Sequence, residues 1–201
     1  FRITRQVTAA ESANLTAIRL AALSVPGVAD IVFIPYARGI GTYDILIKAI
    51  TPTVSDSLIA SVQAAIEEVT AQGIVGRADG PIEVGITFTI TVAYTKQLPS
   101  RERSEIEGKI RNGLVNYINN LDIGEDFIIN EAVQRVMEVD DRIMDIGVPT
   151  KPFDEIIIYK PTKLQDSKLT NTLLKNYPTE NNERLIIEPS VTTPISISTA
   201  I

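Results

Sequence analysis

Neither cysteine, histidine nor tryptophan occurs anywhere in this 201-residue chain. Without cysteine there are no disulfides, thiolate metal sites or cysteine nucleophiles. Without histidine the commonest general base is missing, along with the usual form of the Ser-His-Asp triad and the imidazole ligands of most zinc and non-haem iron sites. Carboxylates and lysines remain, and the chain is expected to be no enzyme, with no catalytic residue, no metal and no cofactor. No apolar run approaches the length of a bilayer span, and nothing at the start resembles a charged segment followed by a secretory apolar core, so a soluble chain without a membrane span is expected. Lys and Arg number 19 against 25 Asp and Glu, a net charge of −6. The cations are scattered singly, and the densest group, Arg101-Glu102-Arg103, is interrupted by an acid. A phosphate backbone would be repelled, so nucleic acid is not an expected partner.

What is present is a globular pattern, 44% hydrophobic and 22% charged, in a chain long enough to bury a core in one or two domains. It opens on Phe1 rather than Met, which predicts a piece of a longer chain. Thr8-Ala9-Ala10-Glu11 has capping-box spacing and predicts a first helix from Thr8, with Ala10, Ala13, Ala17, Leu20 and Ala21 on one face. Val25-Pro26-Gly27-Val28 must end it, because Pro26 lacks an N–H and restricts Val25 to extended geometry, while Gly27 tolerates positive φ. A hairpin follows, with Ile31 to Ile34 as one arm, a turn at Ala37 to Gly41 and a return from Thr42 to Ile50. A second helix starts at Thr53 or Ser55, carries Leu58, Ile59, Val62, Ile66 and Val69 as its apolar stripe, and ends at Gly73 and Gly76.

After Gly80-Pro81, residues Ile86, Phe88, Ile90, Val92 and Tyr94 alternate with Thr87, Thr89, Thr91 and Ala93, the clearest period-two strand in the chain. Leu98-Pro99-Ser100 opens a third helix with Ile106, Ile110, Leu114, Tyr117, Ile118 and Leu121 inward, and a short fourth runs from about Asn130 to Met137. The stretch from Val136 to Ile146 echoes that from Leu23 to Val32, and Glu155 to Tyr159 is expected to close a second hairpin. The expected fold class is α+β: two small two-layer α/β sandwich subdomains, helix-strand-strand-helix over 1–79 and strand-helix-helix-hairpin over 80–160. Residues 161–201, with Pro161, Pro178, Pro189 and Pro194, form a Pro-rich extended C-terminal arm. Its short clusters Leu185-Ile186-Ile187 and Ile195-Ser196-Ile197 leave two readings open, a floppy tail or strands added to the sheet edge of a neighbouring subunit.

The candidates for chemistry are few. Glu125-Asp126, Asp140-Asp141 with Asp145, and Asp154-Glu155 are the acidic groups. Adjacent residues on a strand point to opposite faces, and the spacing of Asp140, Asp141 and Asp145 is not that of a calcium loop, so turn and solvation roles are expected. Gly39-Ile40-Gly41 lacks the third glycine and the strand-to-helix context of a dinucleotide site and reads as a hairpin turn. Tyr36, Tyr43, Tyr94, Tyr117 and Tyr159 could form a sugar or base platform, but with aromatics at 5% core and interface roles are favoured.

The order of these parts resembles the C-terminal region of baseplate J-like proteins, wedge components of contractile phage tails and related injection machines. The matching features are the small-residue helix before Ser24-Val25-Pro26-Gly27-Val28, the hairpin turning at Gly39-Ile40-Gly41-Thr42, and the helix from Ser55 to Val69 with Ala64-Ala65-Ile66. A connection through Gly73, the alternating strand to Tyr94 and the paired helices leading to Val139-Asp140 complete the likeness, which covers about residues 8 to 160. The resemblance implies a structural subunit of the virion's tail baseplate, assembled in the host bacterial cytoplasm. Its partners would be other copies of itself and other wedge or hub proteins, in a ring around the tail tube that rearranges on host contact and triggers sheath contraction. The alternatives are a stand-alone α/β ligand-binding or regulatory module, which needs a concave apolar pocket with convergent polar groups, and a carboxylate enzyme, which needs two acids converging in a cleft.

Overall fold

A computed structural model describes residues 15–51, 53–147, 152–161, 168–172 and 175–199, of which 168–172 by backbone alone. The chain divides into two compact units, one up to Pro81 and one from Ile82. Each is a layer of helices on a small sheet, so the fold is α+β with two α/β subdomains.

In the first unit α1 (Leu15–Leu23) leads into β1 (Val28–Pro35) and β2 (Thr42–Ala49), which pair antiparallel. The predicted capping box at Thr8 lies outside the described residues. Ser24 N–H and Val25 N–H donate to the last carbonyls of α1, Gly27 takes φ of 102°, and its carbonyl then receives Ile50 N–H at 2.9 Å, which closes the hairpin base. α1 buries Ala17, Ile18 and Ala22, while Leu20 is 60% exposed. Ile18 and Ala22, four residues apart, set the inward face, and Leu20 lies two residues from each, roughly 200° around the helix. The expected inward position of Leu20 is therefore corrected.

α2 (Asp56–Val69) begins at Ser55, whose hydroxyl accepts Leu58 N–H, and not at Thr53. It ends at Thr70, earlier than the glycines: the Thr70 hydroxyl donates to the Ile66 carbonyl at 2.6 Å, and Gly73, at φ of 89°, turns the chain beyond. α2 is a crossover, because β3 (Val75–Asp79) runs parallel to β2 in the order β1-β2-β3. The connection expected through Gly73 leads directly into this third strand. Gly76 lies inside β3, under the ring of Tyr43, and a Cβ there would stand 2.3 Å from the phenol. Tyr43 is fixed by stacking on Phe33 with centroids 5.0 Å apart and by its hydroxyl against that of Thr70. Gly76→Ala is therefore expected to cost about 1–3 kcal/mol by overpacking, read as a lowered urea midpoint with unchanged slope, with Tyr43→Ala in the same background recovering part of the loss.

The second unit is built on β4 (Ile82–Tyr94), which buries Val84, Ile86, Phe88, Ile90 and Val92 on one face. α3 (Ser100–Asn120) and α4 (Ile129–Met137) cover that face through Ile106, Ile110, Leu114, Tyr117, Ile118, Ala132 and Val136. Thirteen residues give β4 edges that no single partner fills. β5 (Ile143–Ile146) pairs antiparallel at Val92 to Tyr94, and β6 (Glu155–Pro161) pairs antiparallel at Gly85 to Thr89, so both lie along one edge in succession. They do not pair with each other, and the expected second hairpin gives way to two separate pairings with β4. β7 (Lys168–Thr172) extends the sheet beyond β6.

The opposite edge of β4 is filled by the C-terminal segment: β8 (Glu183–Ile187) pairs parallel with Ile82 to Ile86, and β9 (Ile195–Thr199) pairs parallel with Phe88 to Val92. Residues 161–201 were expected as an arm outside the sandwiches. Their described strands instead complete the second sheet of their own chain, because Leu185 and Ile195 have no core of their own and find one beside Val84 and Phe88.

Candidate functional site

Among the described residues, the least expected surface lies at the hairpin of the first unit. Tyr36 is the one described non-glycine residue at positive φ, 58°, and is 70% exposed, while Ile40 is 98% exposed. Such exposure usually accompanies mobility, but this tip is braced. Tyr36 N–H donates to the Thr42 carbonyl at 2.9 Å, Gly39 N–H to the Tyr36 carbonyl at 3.0 Å, and the Thr42 hydroxyl to the Gly39 carbonyl at 2.7 Å. Gly39 and Gly41, at φ of 110° and 79°, supply the left-handed conformations the turn needs. Arg38 folds back to Asp44 Oδ1 at 3.0 Å and to the carbonyls of Tyr43 and Val75 at 3.4 and 3.3 Å, tying the tip to β3.

Below the tip lies an open groove of about 270 Å³ lined by Leu15, Ile18, Phe33, Tyr36, Tyr43 and Ile74 among others, none charged. Two of its polar groups engage each other: the Tyr43 and Thr70 hydroxyls meet at 2.5 Å, and Thr70 donates onward to Ile66. Burial, partly offset by the bond to Thr70, raises the Tyr43 phenol pKa, so it stays protonated at neutral pH. A concave, uncharged and largely apolar surface of this kind can receive an apolar side chain.

Glu125 accepts Asp122 N–H at 2.6 Å, Asp126 accepts Thr179 N–H at 2.8 Å, Asp145 accepts Ile146 N–H at 2.8 Å, and Asp154 accepts the Thr91 hydroxyl at 2.7 Å. Glu155 is exposed on β6. Asp140 is held by Arg142 through bonds of 2.7 and 2.9 Å, and Arg142 reaches Glu102 on α3 at 2.6 Å. Asp141 follows it in the turn that leads to β5. Among the described residues no group of three acidic side chains gathers for a metal ion. No described helix is long and apolar enough to cross a membrane. Gly39-Ile40-Gly41 is the hairpin turn. Tyr36 and Tyr43 share the groove, whereas Tyr117 packs on Phe127 at 6.0 Å, Tyr94 packs against the core of the second unit, and Tyr159 lies half-buried on β6.

The hydrogen bonds from Arg142 hold the Asp140 carboxyl well below the usual carboxylate range, against the upward push of its own burial. At acid pH the unfolded chain then binds the proton that folded Asp140 refuses, so this stabilisation is complete above about pH 4 and declines as pH falls through and below that value. Asp140→Asn is expected to lower stability at pH 7 by about 1–2 kcal/mol, discounted for the partly open Arg142. The difference from the parent chain should narrow below pH 4 in urea titrations. A constant difference across pH would mean that packing, and not the ion pair, was lost.

Sequence reasoning missed a second charged cluster. Glu183 is fully buried on β8, with Lys160 Nζ at 2.5 Å, the Tyr177 hydroxyl donating at 3.2 Å and Glu180 N–H donating at 3.1 Å. Hydrogen bonds to Glu180 and Glu183 raise the Lys160 pKa. Two further charged residues of the segment, Arg184 and Glu188, are 2% and 0% exposed, and a Cβ on Gly85 would stand 1.9 Å from Glu188 Oε2. The available signal was Arg184 and Glu188 immediately flanking the apolar run Leu185-Ile186-Ile187.

No protein-family model matches the sequence, and no curated protein matches it. Among solved structures, a chain of the cryo-EM structure of the anti-feeding prophage baseplate, six-fold symmetrised, is similar over 92% of this chain, with a TM-score of 0.51 at 9% identity. The chain spans 40% of the length of that protein. The two share a fold.

Proposed function

We propose that this chain is a structural, non-enzymatic subunit of the baseplate of a contractile phage tail or phage-like injection machine. The observation that carries the reading is the fold shared over 92% of the chain with a baseplate protein. The braced tip with exposed Tyr36 and Ile40 agrees with it, since a rigid apolar projection suits permanent packing into a neighbour and is a liability on a free-standing protein. In this role the chain is a wedge component of the baseplate J-like kind. Its partners are other copies and other wedge or hub proteins, in a ring around the tail tube that rearranges on host contact and releases the sheath. It would reside in the virion's tail baseplate after assembly in the host bacterial cytoplasm.

In-frame deletion of the coding sequence from the particle's own gene cluster tests this. The expected result is particles lacking a completed tail end, restored by the intact gene and restored poorly by an Ile40→Asp gene. Complete, contractile tails in the deletion strain would overturn the reading.

A further inference from the structure

Among the described residues no strand pairs with the outer edge of β9, and the register with β4 determines which backbone groups face that edge. Phe88 N–H donates to the Pro194 carbonyl at 2.8 Å, so in this parallel pair Pro194, Ser196 and Ser198 turn their backbone groups toward β4. Ile195, Ile197 and Thr199 turn theirs away from it. Among the described residues one side chain reaches that edge: Arg111 on α3, whose Nε donates to the Ile195 carbonyl at 3.3 Å. Beside the edge runs a groove of about 330 Å³ between α3 and the strand, lined by Arg111, Val115, Pro194, Ile195 and Ile197 among others, with Arg111 its sole charged wall. Arg111 is 44% exposed, and its contact with Glu107 is a long 3.7 Å. The cation is weakly committed.

We propose that this edge is a docking site for an extended segment of another protein that adds as a strand outside β9 and carries a carboxylate for Arg111. The incoming strand's N–H takes over the Ile195 carbonyl, and its carbonyl accepts Ile197 N–H. Arg111, displaced from Ile195, is then free to pair with the carboxylate, while an apolar side chain enters the groove over Val115. Charge selects this occupant over a second copy of the chain. Two β9 edges paired antiparallel would bring two Arg111 guanidinium groups to one seam, whereas an acidic strand offers Arg111 a carboxylate at closer range than the long contact with Glu107. Docking would occur whether or not the chain sits in a baseplate, so its failure leaves the baseplate reading standing.

The probe is a capped eight-residue peptide of alternating valine and threonine with one central glutamate, compared with its lysine counterpart on the full chain. Hydrogen exchange should show added protection at Ile197 and Thr199 with the glutamate peptide, and fluorescence anisotropy should show at least about tenfold weaker binding of the lysine peptide, equivalent to 1.4 kcal/mol. Arg111→Gln should abolish that preference. Ile197→Pro removes an outward N–H without removing a bond to β4, so the fold should survive and binding should be lost. Should Ile197→Pro fail to fold, Thr199→Pro makes the same test near the strand's end. Equal binding of both peptides, unchanged binding by the proline variants, or concentration-dependent protection of the same amides without peptide would each overturn the proposal, the last in favour of self-pairing.

Discussion

Phe88→Ala is expected to remove about 3–5 kcal/mol of stability, the range for truncating a fully enclosed aromatic ring. Phe88 is 1% exposed at the middle of β4 and touches two other rings, Phe127 at 5.8 Å and Phe153 at 5.6 Å. These partners arrive from separate parts of the chain, Phe127 from the loop before α4 and Phe153 from the approach to β6. Deleting the central ring therefore leaves a cavity whose walls are anchored by backbone bonds on different elements, and collapse is restricted. The loss should appear as a lower urea midpoint and as faster exchange at Ile86 to Ile90. Phe88→Leu, which keeps most of the volume, should cost clearly less. A Phe88→Ala variant within about 1 kcal/mol of the parent chain would show a site that repacks freely, contrary to the density of this core.

Lys160→Met is expected to cost about 3 kcal/mol, because it leaves the buried Glu183 carboxylate without its cation. The figure is set at the low end because Tyr177 and Glu180 still donate to Glu183. In the parent chain the raised pKa of Lys160 makes its contribution complete below the ordinary lysine range, near pH 10.4, and lost as pH rises through and beyond it. Adding Glu183→Gln to Lys160→Met should recover more than half of the loss, since the amide oxygen accepts the same two bonds. The cluster also holds the segment leading into β8. Tyr177 pairs with Phe127 through two backbone bonds of 3.0 Å, and the Asn176 side chain accepts Ile129 N–H at 3.0 Å, capping α4 from a distance. Losing the charge pair should thus loosen the start of α4 as well as β8.

Local chemistry made part of this fold legible. Ser55 marks the start of α2 through its own hydroxyl, Pro26 and Gly27 end α1, and the alternation from Ile86 to Tyr94 marks β4, since in each case a residue acts on its near neighbours. The stripe from Ile106 to Leu121 was readable because helical periodicity lies within one segment. Strand partnership was not readable, because it is decided between distant segments. Val75-Gly76-Arg77-Ala78-Asp79 has no alternation and becomes a strand only beside β2, with Gly76 chosen for the ring of Tyr43. Ile143 to Ile146 and Glu155 to Pro161 look like two arms of a hairpin until the length of β4 offers each a better place. The apolar clusters of the C-terminal segment were visible, with strand addition as one of two readings, but their partner within the same chain was not. Of the surface at the hairpin, the turn was legible from Gly39 and Gly41. The brace from Arg38 to Asp44 and Val75 was not, since it depends on β3 being a neighbour.

The proposed place of this chain at the end of a contractile tail is checked by cryo-electron microscopy of particles purified from cells that express the chain with an epitope tag, decorated with an antibody fragment against the tag. Antibody density repeated around the tail axis at the baseplate, and nowhere along the sheath or on a head, is the expected result. Undecorated tails in a preparation that contains the tagged chain, or decoration outside the baseplate, would overturn the proposal.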